Sequence, residues 1–422
     1  MKMKKISLYL LLATGISVAP SCKKDAVAPT TPITPTTPTT VYNDEQNKEN
    51  LQNTGLSMMK EMDDAKNLVG IDYTKHFADL VEQADPFGSN AAFMPMKVIT
   101  ALALFGENGS TKALESSLKR GGSEDNLNDV YTSRLGEYSW NGNGWNKKAS
   151  NKIILRFPSA EGKGNNASYE ISFVNYTGTS LLPEGNTPSV VDAKFIVDGA
   201  TLVQFEFKGL YNSDGIPNSL DAKLSVKPYS FSSTFTNTSS NISKVFAFKR
   251  NDKTLLAMGA TIAGNLDKAT IEDIVNNDKA EEINKLVKSI SAYTQLFDII
   301  IKGDANVDGI VNDVKGKEDV SDEAVVSTAN KNVKVSVSYA STGQQIAGSE
   351  FYLKSNTYQD YQYNPETQQW VQVERTDKEL DIRMIFKDGS KADLESYFKN
   401  DFDKLGDEYE KFVQDLDNRY NK

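Results

Sequence analysis

The sequence predicts an α+β fold, a large curved antiparallel sheet covered by helices drawn from an N-terminal helical block, a long central helix and a C-terminal helix. Three observations carry that expectation. Apolar residues recur at helical spacing early in the chain and at a spacing of two from about residue 137 to 265; later they return to helical spacing on either side of further alternating runs. Turn chemistry such as Asp198-Gly199 separates neighbouring alternating runs, which favours sequential antiparallel pairing. Each run has one polar side, so one face of the sheet meets water and the other needs cover.

The chain opens with Met1-Lys2-Met3-Lys4-Lys5, continues through an apolar run from Ile6 to Pro20 and reaches Ser21-Cys22. This is the layout of a secretory signal over residues 1–21, and the run is too short to span a bilayer as a mature helix. Cys22 is the only cysteine in 422 residues and stands where cleavage would leave a new amino terminus. The segment resembles a bacterial lipoprotein signal, and "CKKD" is similar to the start of mature Bacteroidota lipoproteins. That resemblance implies lipidation of Cys22 and an outer-membrane location facing either the periplasm or the cell surface. The alternative is an ordinary secretory peptide with an incidental cysteine. A mature chain with one cysteine has no internal disulfide, so its core must supply its stability.

Residues 22–42 form a Thr/Pro-rich spacer in which Pro29, Pro32, Pro35 and Pro38 recur every third residue, the period of a polyproline II helix. From Ala28 to Thr40 it spans about 40 Å at roughly 3.1 Å per residue. The formal charge is -10, and removal of residues 1–21 takes three lysines with it to leave -13. Such an acidic body disfavours nucleic acid and anionic lipid surfaces, leaving the N-terminal lipid as the contact with the membrane.

A single domain is expected over 43–422. Its helical start, 43–122, includes "NDEQNKENLQNTGLSMMKEMDDAKNLV", with Leu51, Met58, Met59 and Met62 at helical spacing, and closes at Gly121-Gly122. Strands follow over 137–265: Val203, Phe205 and Phe207 face one way while Gln204, Glu206 and Lys208 face the other. Asp198-Gly199 and Asn251-Asp252 are the expected tight turns. A long helix is expected over 270–302, capped by Thr270, with Ile274, Ile283, Leu286, Val287, Ile290, Leu296 and Phe297 on its apolar side. Over 330–420, strands resume with "VKVSVSY" and a hairpin turning at Asn364-Pro365, and a terminal helix carries Leu394, Phe398, Phe402, Leu405, Tyr409, Phe412 and Leu416 on a nearly heptad seam. The helical start followed by a meander, with phrases such as "LVQFEFKGLYNSDGIPNSLDAKLSVKPYSF", resembles envelope lipoproteins of Bacteroidota, which implies location and architecture only.

One segment has metal-site spacing. Asp304, Asn306, Asp308, the Ile310 carbonyl and Asn312 fall at positions 1, 3, 5, 7 and 9 of an EF-hand-type loop, with Gly309 at the sharp turn. "GDANVDGIVN" resembles the first half of a dockerin repeat, which implies calcium. Position 12 holds Lys315 where a carboxylate should close the shell, with Glu318 and Asp319 as substitutes only in a longer loop. The competing expectation is a helix-to-strand connection whose Asp and Gly satisfy its own turn. Calcium is therefore the one cofactor the sequence suggests.

His76 is the only histidine and sits at helical spacing between Tyr73 and Leu80, and no G-x-S-x-G, H-E-x-x-H or P-loop motif occurs. A histidine-dependent hydrolase is thereby disfavoured; paired carboxylates stay open. Trp140 and Trp145 flank a glycine-rich turn, and Tyr358, Tyr361, Tyr363 and Trp370 gather in a second stretch. Exposed aromatic rings stack on sugars, whereas rings paired across a hairpin only pack. Two functions follow as expectations. One is a non-enzymatic, lipid-anchored envelope protein with a structural or protein-interaction role. The other is a lipoprotein that binds an apolar ligand or a glycan in an open concavity.

Overall fold

The computed structural model describes residues 42, 43, 46, 47, 49, 50, 54, 57, 60, 61, 64, 69–87, 127–178, 187–213, 215–266, 283–317 and 320–393. Cys22, the expected signal segment and spacer up to residue 41, most of the expected helical start and the expected C-terminal helix lie outside these residues. Among them, 58% are in strands of one 16-stranded sheet and 18% are helical, which corrects the expected helix-covered α+β fold to a mostly β one.

The described residues between 46 and 64 are helical, followed by α1 (Val69–Gln83) and α2 (Leu127–Ser133). The first ten strands are β1 (Gly136–Trp140), β2 (Trp145–Lys148), β3 (Ile153–Phe157), β4 (Ala167–Asn175), β5 (Pro188–Val197), β6 (Ala200–Tyr211), β7 (Pro217–Val226), β8 (Tyr229–Thr238), β9 (Asn241–Arg250) and β10 (Lys253–Gly264). A short α3 (Ile283–Leu286) leads into β11 (Val287–Leu296) and β12 (Ile299–Asn306). Then come α4 (Val307–Val314), α5 (Asp322–Asn332), β13 (Val333–Tyr339), β14 (Gln345–Asn364), β15 (Gln369–Phe386) and β16 (Lys391–Asp393). From β3 to β16 every strand pairs antiparallel with its successor. At the other edge β1 runs parallel to β3 and carries β2 outside it.

Local chemistry explains this meander. Asp198 (φ 50) and Gly199 (φ 79) close the β5–β6 hairpin with Val197 opposite Ala200, and Asn251 (φ 51) lies in the β9–β10 turn. Both turns use the left-handed conformation that Gly, Asn and Asp reach at low cost. Phe205 and Phe207 are buried as the alternation requires.

The expected helix over 270–302 is replaced from Val287 onward by two strands, and residues 267–282 lie outside the described ones. The run "VKSISAYTQLFDIII" is rich in β-branched and aromatic residues that fit a pleated surface, while its apolar residues also fall three and four apart. The turn between β11 and β12 gives little warning, because the left-handed position (φ 50) falls on Phe297 itself and not on the neighbouring Asp298. Phe297 N–H donates to the Leu255 carbonyl at 2.9 Å, and the ring lies under Lys253 Nζ at 4.7 Å. Tertiary contacts hold this turn in place of local propensity.

The core is divided along the sheet. The largest cluster packs α1 (Phe77, Leu80, Val81) and α2 (Tyr131) onto β1 and β3–β7 around Phe157, which is 0% exposed. A small cluster joins Tyr229, Phe248 and Leu255 on β8–β10. Toward the other end Ile310 of α4 and Ala329 of α5 pack with Ala305 and Val333, and Ile299, Val337, Ile346, Met384 and Phe386 form the last cluster.

Candidate functional site

The calcium-like spacing is occupied by a strand-to-helix junction. Asp304 and Asn306 belong to extended β12, whereas Asp308, Ile310 and Asn312 lie on α4, so the backbone does not form an ion-wrapping loop. Asn306 is the N-cap of α4 and its Oδ1 accepts from Gly309 N–H at 3.1 Å, satisfying one of the helix's free donors. Asp304 pairs with Lys302 at 2.8 Å; Asp308 pairs with Lys288 at 3.1 Å and accepts from Asn284 Nδ2. Ile310 is buried and Asn312 is exposed. Glycine is required at 309 by close approach, since a Cβ there would fall 1.8 Å from Asn332 Oδ1. Asn332 Nδ2 in turn donates to Asp313 at 2.7 Å, and Lys331 donates to the same carboxylate at 2.6 Å, which holds the Asp313 carboxyl below its ordinary range. Among the described residues no group of three or more His, Cys, Asp or Glu side chains is placed to hold a metal ion.

Trp140 and Trp145 come together as directly opposed partners of β1 and β2, their rings edge-on at 5.2 Å. Both pack against the largest core cluster, and Trp145 Nε1 donates to the Ala84 carbonyl just beyond α1 at 2.7 Å. The pair, partly exposed, fastens the edge hairpin to the helix. His76 lies on α1, half buried, with Nε2 unpaired among the described residues.

The exposed aromatic residues are elsewhere. Strands β14 and β15 pair without a register shift from Ala347 opposite Phe386 to Asn364 opposite Gln369. Strand β13 reaches only as far as Ala347 and β16 only as far as Arg383, so the outer part of this ribbon has neither flanking strand. Its base is held by α5: Asn330 Nδ2 donates to the Phe351 carbonyl and Phe351 N–H donates to Asn330 Oδ1, both at 2.8 Å. At the tip Asn364 Oδ1 accepts from Glu366 N–H at 2.9 Å, fixing the turn.

Register assigns the ribbon two unlike faces. One carries ion pairs: Glu350 with Arg383 and Lys391, Lys354 with Asp381, and Arg375 with Asp360, while Tyr358 donates its hydroxyl to Asp377 at 2.9 Å. The Lys391 and Arg383 hydrogen bonds lower the Glu350 carboxyl below its ordinary range, and the Asp377 hydrogen bond raises the Tyr358 phenol. Near the tip the other face presents Tyr361, Tyr363 and Trp370 beside Gln359, Gln372 and Glu374. Trp370 is 68% exposed and Tyr361 61%, and Trp370 stands edge-on to Tyr363 at 5.6 Å. The sequence singled out these aromatics but gave no sign that they stand free of the core.

At the base of the ribbon the chain's N-terminal part is clamped. Tyr42 N–H donates to Gln344 Oε1 at 3.1 Å and Gln344 Nε2 donates to the Tyr42 carbonyl at 2.9 Å, an amide copying a strand partner. Tyr339 donates its hydroxyl to Asn47 Oδ1, and Asn50 Nδ2 donates back to it, both at 2.9 Å. Arg250 bridges Glu61 and Asp64 at 2.9 Å to each. Tyr229 donates to Glu61, and burial pushes its phenol up to about 12. An open cleft of about 610 Å³ lies between this clamp and the sheet, lined by Tyr42, Asn50, Thr54, Gln295, Phe297 and Tyr339 among others.

Compared with protein-family models, curated proteins and solved structures, the chain matches none.

Proposed function

We propose that this chain is a lipid-anchored envelope protein with a non-enzymatic interaction role, in which a rigid sheet presents the β14–β15 ribbon to a partner. The observation that carries the reading is the ribbon itself, which projects beyond its flanking strands with Tyr361 and Trp370 open to water. Large rings exposed on a two-stranded ribbon add nothing to a core and favour aggregation, so they call for a binding role. The layout of tether and ribbon supports it. Tyr42, where the spacer ends, is clamped to Gln344 beside the first residue of β14, and the tip is at the other end of that strand, about 65 Å away at 3.4 Å per residue. A spacer of about 40 Å would extend the reach further.

A photoreactive amino acid at position 361, incorporated in the native host, tests the interaction role. The expected outcome is a covalent adduct with an envelope component, absent when the probe is at position 254 near the clamp. No adduct from position 361 or from position 370 removes the reading. Metabolic labelling with an alkyne fatty acid checks the anchor: label is expected on the native chain and none on Cys22→Ser, and a native chain without label refutes lipidation.

A further inference from the structure

We propose that the aromatic face of the β14–β15 tip is a binding platform for a neutral polysaccharide; this rests on the interaction role above and names its partner. The chemistry of that face selects the ligand. Tyr361, Tyr363 and Trp370 offer electron-rich ring faces on which the weakly positive C–H face of a sugar ring stacks. Around them Gln359 and Gln372 supply amide donors and acceptors, and Glu374 supplies a carboxylate acceptor, a set suited to vicinal hydroxyls. Trp370 and Tyr361 are diagonal cross-strand neighbours, roughly 7–8 Å apart, so that one extended chain can touch both rings.

Charge and area weigh against nucleic acid, an anionic lipid surface and a large protein interface. The cation nearest the tip on this face is Lys378, about 27 Å along β15 from Trp370, while Arg375 belongs to the opposite face and is tied to Asp360 at 2.7 Å. Nucleic acid stacked on these rings would have no cation for its phosphates, and an anionic lipid surface would meet carboxylates, Glu374 on this face and Glu366 in the turn. From Gln359 to Tyr363 the aromatic stretch covers about 14 Å of a ribbon two strands, or about 10 Å, wide; that is about 140 Å², against roughly 800 Å² per partner in a stable protein interface. A second copy of the chain or a globular protein needs more surface than this face has, whereas a linear glycan needs only a narrow track.

The test is affinity electrophoresis of the mature chain, residues 22–422, in native gels containing a β-1,4-glucan, a β-1,3-glucan, a mannan or a xylan. Retarded migration is expected with at least one of these polymers, weakened about tenfold by Trp370→Ala and by Tyr361→Ala. Tyr358→Ala, on the ion-paired face, should migrate as the native chain does. Because Trp370 and Tyr361 are mostly exposed, both variants should keep the native unfolding transition. Free migration in all four gels, or retardation that survives the Trp370→Ala/Tyr361→Ala double variant, overturns the proposal. A protein adduct at position 361 together with free migration in every gel overturns the glycan and leaves the interaction role standing.

Discussion

Asn330 serves as a strand partner for Phe351, donating to its carbonyl and accepting from its N–H at 2.8 Å each. Strand β14 has lost β13 as a neighbour by this point, so a helix side chain satisfies backbone groups that the sheet does not. Asn330→Ala should cost about 1–3 kcal/mol, the sum of two net hydrogen bonds of about 0.5–1.5 kcal/mol. Denaturant unfolding measures the loss. Faster proteolytic cleavage near Phe351 should accompany it.

Gly309 and Asn332 form a second tight pair. Gly309→Ala places a methyl 1.8 Å from Asn332 Oδ1, and overpacking of that kind costs about 1–3 kcal/mol. If the clash with Asn332 is the cause, adding Asn332→Ala to Gly309→Ala should cost less than the two single changes summed. A double-mutant cycle by thermal unfolding reads this coupling, and strict additivity would show that the Asn332 contact does not carry the cost.

Millimolar calcium is expected to leave the melting temperature unchanged, because Asp304 and Asp308 already hold Lys302 and Lys288, and Asn306 spends its oxygen on the helix cap. Differential scanning calorimetry with and without calcium makes the comparison. A rise that disappears in Asp308→Asn would restore the metal site.

Acid should loosen the ribbon base through Glu350. Its folded-state pKa is lowered, first by the Lys391 hydrogen bond and then by that from Arg383, so its contribution is present above the unfolded carboxyl value and is lost as pH falls through the lowered one. Melting temperatures of the native chain and Glu350→Gln should therefore differ at neutral pH and converge as pH falls below about 4. A constant difference across the acid range would remove Glu350 from the acid response.

Phe157→Ala should destabilise by about 3–5 kcal/mol, since the ring is fully buried against Phe77 and Phe195. The clusters are separate along the sheet, so hydrogen exchange should accelerate in β3–β6 and stay near native rates in β13–β15. Uniform acceleration across the sheet would indicate one cooperative unit.

Much of the strand order was legible in the sequence because alternation and turn chemistry are local signals. Val203, Phe205 and Phe207 disclosed their strand, and Asp198-Gly199 and Asn251 disclosed their turns, since the residues that permit φ > 0 are few. The helix expected over 270–302 failed where two periods coincide and where Phe297 turns the chain under contacts made by Leu255 and Lys253. The acidic segment carries a true signal with two meanings. Asn306-x-x-Gly309 caps a helix with the same residue types that begin a calcium loop, and only Lys315 hinted at the difference. For the aromatics, Trp140–Trp145 and Tyr363–Trp370 look alike as cross-strand pairs. What separates them is whether a helix lies beneath, as α1 does for Trp145 through Ala84, and no local pattern carries that information.

The clamp of Tyr42 on Gln344 also decides how the molecule would bear tension. A pull at the tip against the Tyr42–Gln344 contact would run lengthwise along β14, parallel to the strand. Rungs loaded sideways must give way together, whereas a strand lifted from its end loses them one at a time. Such a pull meets the ribbon along its strands, the direction in which its rungs are not opened one by one.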